Sequence, residues 1–225
     1  MQNLIQLIEK YVLYLITDCF LSVTIHPMEK ENLITSSPLM RFNIHSNSYC
    51  AYIKANQKGY TQCHLQQKKV LKKCQKTEED FCGTCHAGVF EYVYPLFNEK
   101  RVIGFISVSG YSCENGKARI PKVAEQLGCS KESLMKNYET LSSKLPEKEK
   151  LDTLILPLCK MIELAYRTEA NGINDETLIT QICRYIHQNY ADDLTTEKIC
   201  CHFFVVAHIS AISSKKKPEK AFGNI

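Results

Sequence analysis

Phe81-Cys82-Gly83-Thr84-Cys85-His86-Ala87-Gly88-Val89-Phe90-Glu91, running on through Tyr92-Val93-Tyr94-Pro95-Leu96, is the stretch that decides the fold. Its aromatic and β-branched residues predict a strand, Asn98-Glu99-Lys100 a turn, and Val102-Ile103-Gly104-Phe105-Ile106-Ser107-Val108 the returning arm of a hairpin. Cys82, Cys85 and His86 then stand at the mouth of an apolar strand, at one end of a rigid sheet, where they can face a ligand or a metal.

Upstream, Leu4, Ile5, Leu7, Ile8, Val12, Leu15 and Ile16 recur at helical spacing and predict an amphipathic opening helix. Leu21-Ser22-Val23-Thr24-Ile25-His26 alternates and predicts a strand. Ser48 is placed to cap a short helix through Ile53, and a longer polar helix is expected over 61–76 with Lys68, Lys69, Lys72 and Lys73 on its wet side. Downstream, 121–141 reads as two helical pieces broken at Gly128. A further helix over 151–166 carries Leu151, Leu154, Leu158, Ile162 and Ala165 on one stripe. This order of elements predicts an α+β domain with an antiparallel sheet and flanking helices over 1–166. The polar stretch 167–175 reads as a linker, and a small all-α segment follows over 176–225, its first helix capped by Asn174 or Asp175.

The chain has 225 residues, enough for one large domain or a medium and a small one, and its net charge of +4 does not by itself point to nucleic acid. The apolar run near Tyr11 is too short to span a membrane and lacks the flanks of an export signal, so a cytoplasmic protein is expected. Twelve cysteines are then read as reduced thiols, with Cys19, Cys159, Cys183 and Cys200 packing as small hydrophobes.

Three chemistries compete for the central thiols. Zinc needs three or four converging soft ligands, and the Cys82-x-x-Cys85 pair supplies half a site, with Cys63, Cys74 or His86 as completions. A reversible dithiol would need a helix N-terminus or a cation to lower a thiol pKa, whereas this pair runs into a strand. The third reading, which we carry forward, makes Cys63, Cys85, His86 and Glu91 the polar anchors of a small-molecule pocket walled by Phe90, Tyr92, Tyr94 and Phe105. No phosphate loop, nucleophile elbow or metalloprotease helix occurs, so no catalytic residue is assigned and no enzyme is expected. No cofactor is expected, and no metal is assigned.

Residues 4–145 resemble a PocR-type sensory domain, a PAS-like module of bacterial regulators. The resemblance rests on Asn47 and Cys50, Cys63, Cys85-His86-Ala87-Gly88, Glu91, Pro95, and Gly104-Phe105-Ile106 with Gly110. It implies sensing of a small hydrocarbon derivative such as a diol. Further on, Ile182, Tyr185-Ile186, Asn189-Tyr190, Leu194-Thr195, Glu197 and Ile199 resemble the opening of an AraC-type helix-turn-helix module. That resemblance implies transcription regulation, with His208, Ser210, Lys215, Lys216, Lys217 and Lys220 as DNA-facing residues. Ser213-Ser214 and Pro218-Glu219 depart from the AraC pattern, and the sequence ends at Ile225 after room for one such unit of the usual two. The expectation is therefore a truncated remnant that binds DNA weakly. The helical pair over 124–134 also reads as a helix-turn-helix, but with few basic side chains. The expected partners are a small-molecule ligand, DNA, and a second copy of the chain, without a membrane. The alternative is a thiol or zinc sensor that acts through protein partners without binding DNA.

Overall fold

The computed structural model describes residues 2–28, 33 and 37–188, with side chains over 4–28, 33 and 37–168. In chain order the elements are α1 (Gln2–Thr17), β1 (Ser22–Pro27), a 3-10 turn (Pro38–Phe42), α2 (Ser48–Ala55), α3 (Gln57–Thr77), β2 (Phe81–Thr84), β3 (Phe90–Asn98), β4 (Arg101–Tyr111), a short α4 (Glu114–Lys117), α5 (Ile120–Leu127), α6 (Lys131–Tyr138) and α7 (Lys148–Gln188). The chain divides into two compact units, Met1–Glu169 and Ala170–Ile225.

The sheet has the order β1-β4-β3-β2, with every neighbouring pair antiparallel. Side chains alternate across it, so each strand feeds two different cores. On one face Val23 and Ile25, Tyr92, Tyr94 and Leu96, and Ile106 and Val108 pack with Ile8, Val12 and Leu15 of α1 and Leu151, Ile155, Leu158 and Ile162 of α7. Burying an aliphatic side chain of this kind stabilises the fold by roughly 1.5–3 kcal/mol. Polar contacts fix α7 on this face: the Tyr11 hydroxyl donates to the Leu154 carbonyl (3.0 Å), that of Tyr94 to Asp152 (2.7 Å), and the Phe97 amide to the buried Glu163 carboxylate (3.0 Å).

On the opposite face Val70 and Cys74 of α3 meet Val93, Val102 and Phe105. Ile103 is the extra residue of a bulge, because Leu96 pairs with Gly104 and Phe97 with Val102. The bulge lets Val102 and Phe105 face α3 while Ile103 and Ile106 both face the α1–α7 core. A further cluster joins Tyr49, Cys50 and Ile53 of α2, Ala87 and Val89, and the apolar sides of α5 and α6.

The opening helix, the first strand, the 98–100 turn and the break at Gly128 stand where the sequence places them. Elsewhere the structure corrects the reading. Helix α2 is capped by Asn47 rather than Ser48, its side chain accepting from the Cys50 amide at 2.8 Å. Helix α3 starts at Gln57, four residues before the expected start at Thr61, because Asn56 caps it by accepting from the Lys58 and Gly59 amides. Residues 81–91 do not form one strand: β2 ends at Thr84 and β3 begins at Phe90. The expected linker 167–175 and the caps at Asn174 and Asp175 are instead continuous helix within α7. The stretch contains no proline, and its single Gly172 costs a helix only about 1 kcal/mol relative to alanine. Helices α5 and α6, which hold the helix-turn-helix look-alike over 124–134, turn Ile120, Val123, Ala124, Leu127 and Leu134 into the α2 cluster. The AraC-like residues beyond 188, with the assigned His208, Ser210, Lys215, Lys216, Lys217 and Lys220, lie outside the described residues.

Candidate ligand-binding site

Cys85 and His86 sit in a tight turn between β2 and β3. The Gly88 amide donates to the Cys85 carbonyl at 3.1 Å and the Cys85 amide to that of Val89 at 2.8 Å, which closes the loop. Gly88 has φ +87, a left-handed conformation that other residues adopt only with strain. Three groups from distant elements hold this turn from outside. The Tyr49 hydroxyl donates to Ala87 O (2.7 Å), that of Tyr138 lies 3.0 Å from Gly88 O, and Arg119 donates to Cys85 O (3.1 Å). Because Cys85 and His86 occupy a turn, the strict alternation of side chains along a strand does not separate them.

Behind the turn lies a cavity of about 40 Å³, lined mainly by Cys50, Ile53, Cys63, Val70, Val89 and Phe105 with the polar groups of His26, His45, Gln67, Cys85, His86 and Glu91. A volume of this order holds a few water-sized groups, so an occupant would be small. Helix α3 brings Cys63 to one wall, where its Sγ lies 3.2 Å from His86 Nε2. On another wall stand His26 and His45, whose Nε2 atoms lie 3.0 Å and 2.9 Å from the Ser107 hydroxyl behind them, and Gln67, which contacts His26 Nδ1 at 3.3 Å. The His26 ring stacks on Phe105 with centroids 4.4 Å apart.

Burial dominates the electrostatics. It pushes the His26 imidazole well below its usual value and that of His45 down to about 4, with Lys54 acting the same way on both and His45 adding to the effect on His26. Both rings are therefore neutral near pH 7. Burial raises the Cys63 thiol to about 11 and the Cys85 thiol further, and it lowers His86. These sulfurs are thiols rather than thiolates, unlike the activated cysteines of redox sites.

Glu91 is the unusual group. It is 8 % exposed, lies on the β3 face opposite its neighbours Phe90 and Tyr92, and among the described residues has neither a hydrogen-bond donor nor a cationic partner. Burial raises its carboxyl to about 7.

The structure brings five of the eight sequence-assigned pocket residues together: Cys63, Cys85, His86, Glu91 and Phe105. It does not bring Phe90, Tyr92 and Tyr94 to the cavity. They point through the sheet to the α1–α7 core, where Tyr92 is 7 % and Tyr94 1 % exposed. Their alternation with Glu91 and Val93 is the cause. Cys82 is exposed on β2 opposite Tyr92, so the Cys82-x-x-Cys85 pair does not converge. Among the described residues no three His, Cys, Asp or Glu side chains are arranged to hold a metal ion, and the cysteines are free. Among the cavity residues that sequence reasoning missed are His26, His45, Lys54 and Gln67. The one available signal was a histidine closing an otherwise apolar, alternating strand.

A family model described as the sensory domain found in PocR matches residues 20–169. No curated protein and no solved structure matches the chain significantly. No helix among the described residues is long and apolar enough to cross a membrane.

Proposed function

Because the chain belongs to the PocR sensory-domain family, which implies small-molecule sensing in a regulatory protein, we propose that the cavity between α3 and the sheet is where the signal binds. The observation that carries this reading is the cavity itself: a small, mostly apolar space with a few polar groups on its wall, among them Cys85, His86 and Glu91, is the form of a small-molecule site. Cavity size favours a ligand of few atoms, and a short-chain diol fits both demands with hydroxyls that donate and accept. In this reading the domain turns nothing over and works in the cytoplasm as a homodimer.

Thermal unfolding with a panel of small diols and related alcohols tests the proposal. A ligand that binds only the folded state raises the midpoint, by the equivalent of about 2.7 kcal/mol at a hundredfold excess over Kd. The rise should disappear in His86→Ala while the unliganded midpoint changes little. A flat panel, or a mutant that responds like the parent, rejects the assignment.

Beyond 188 the proposal rests on sequence resemblance alone. We read the chain as a regulator whose lysines 215 to 220 give weak, salt-labile and sequence-indifferent attraction to DNA. A tight footprint on one promoter at physiological salt would overturn that part. A thiol sensor acting through protein partners is the second reading, favoured by the short Cys63–His86 contact.

A further inference from the structure

The Cys63–His86 pair is more than an ordinary core contact. A thiol that only fills space needs no acceptor, yet Cys63 Sγ is 3.2 Å from a ring nitrogen and borders the cavity. The Glu91 carboxyl, 8 % exposed, borders the same cavity, as does Lys54. A nucleophile, a base within hydrogen-bond reach and a buried acid around a space for a few atoms are the parts needed to add a thiol to a carbonyl.

We propose that Cys63 is a site of reversible covalent modification by a small aldehyde. The Cys63 Sγ–carbon bond forms, the carbonyl π bond breaks with its electron pair going to oxygen, and the thiol proton passes through His86 Nε2 to that oxygen. The product is a neutral hemithioacetal, and no oxidant or reductant is consumed. Its new hydroxyl is a donor for Glu91 on the same cavity wall. Because the thiol is protonated in the resting protein, His86 must take the proton as sulfur attacks, so the adduct forms only when the aldehyde is seated beside the pair. The exposed Cys82 has no such base beside it among the described residues. This inference rests on the cavity being the ligand site, and it puts small carbonyl compounds beside short-chain diols as ligands of that site.

The test uses the full chain and propionaldehyde labelled with carbon-13 at the carbonyl. A protein-bound tetrahedral carbon resonance should appear in the parent and in Cys82→Ser, be absent from Cys63→Ser and Cys63→Ala, and vanish on dialysis. Having two variants at 63 guards against one that does not fold, which circular dichroism would report. His86→Gln should form the adduct at least tenfold more slowly while leaving Cys63 in place. Thermal shifts with 1,2-propanediol are run beside it. A diol shift with no bound resonance overturns the covalent step and leaves the ligand site standing. A bound resonance with no diol shift supports the step and removes the diol. A resonance that persists in both Cys63 variants overturns the assignment to Cys63.

Discussion

Gly116 and Gly88 face each other so closely that a Cβ on Gly116 would lie 2.0 Å from the Gly88 carbonyl oxygen and 2.4 Å from the Tyr138 hydroxyl. The turn carrying Cys85 and His86 is thus seated against the backbone of α4 with no room for a methyl group. Gly116→Ala should destabilise the domain by about 2 kcal/mol or more, since such overpacking against backbone cannot be relieved by a rotamer change. Gly83→Ala, where an added Cβ meets nothing within 4 Å, should change stability by about 0.5 kcal/mol or less. Urea unfolding of both variants checks the contrast, and equal effects would contradict the seating of the turn.

Glu91 sets a dependence on pH with a definite sign. Its carboxyl is raised from 4.5 to about 7 by burial, so the folded state holds this proton more tightly than the unfolded one. The stability it lends is complete below about pH 4.5 and is lost as pH rises toward 7, a span worth about 3 kcal/mol. Glu91→Gln should therefore match the parent near pH 4.5 and exceed it by up to about 3 kcal/mol near pH 8. The lowered His26 and His45 act in the other direction, weakening the fold as pH falls below 6.5, but both proteins carry them, so the difference isolates residue 91. Denaturation curves over that range that stay parallel would show that Glu91 is not desolvated.

Phe105 and Tyr92 separate the two faces of the sheet. Phe105→Leu keeps most of the buried volume at a cost of about 1.5 kcal/mol or less but removes the ring that stacks on His26, so ligand-induced stabilisation should fall. Tyr92→Phe loses a hydrogen bond to the Pro146 carbonyl, about 1 kcal/mol, and should leave the ligand response intact. Thermal shifts on the two variants decide this, and a response lost in Tyr92→Phe would place the site on the wrong side of the sheet.

The hairpin was legible because β-branched and aromatic residues crowd 90–97 and 102–108 around a polar turn, and α1 because its apolar spacing is helical. The turn at 85–88 was hidden by apolar Val89 and Phe90, which extend the strand pattern backward to Phe81, with only Gly88 marking the break. The site was half legible. Alternation shows that Glu91 and Tyr92 face opposite ways, but not which face carries a core. Aromatic residues suit either a binding wall or a packed interior, and here α1 and α7 cover Tyr92 and Tyr94. His26 and His45 reach the cavity only through the pairing of β1 with β4 and the path of the chain into α2, separations that no local pattern records.

The alternation along β3 has an evolutionary corollary. A lineage could rework what enters the cavity by exchanging residues 63, 91 or 105 while the aromatic side of the same strand, and the helix resting on it, stayed untouched. Related domains with divergent chemical tastes would then keep a common aromatic underside, and chimeras that swap only the cavity-facing positions should inherit the donor's preference without needing compensating changes in α1 or α7.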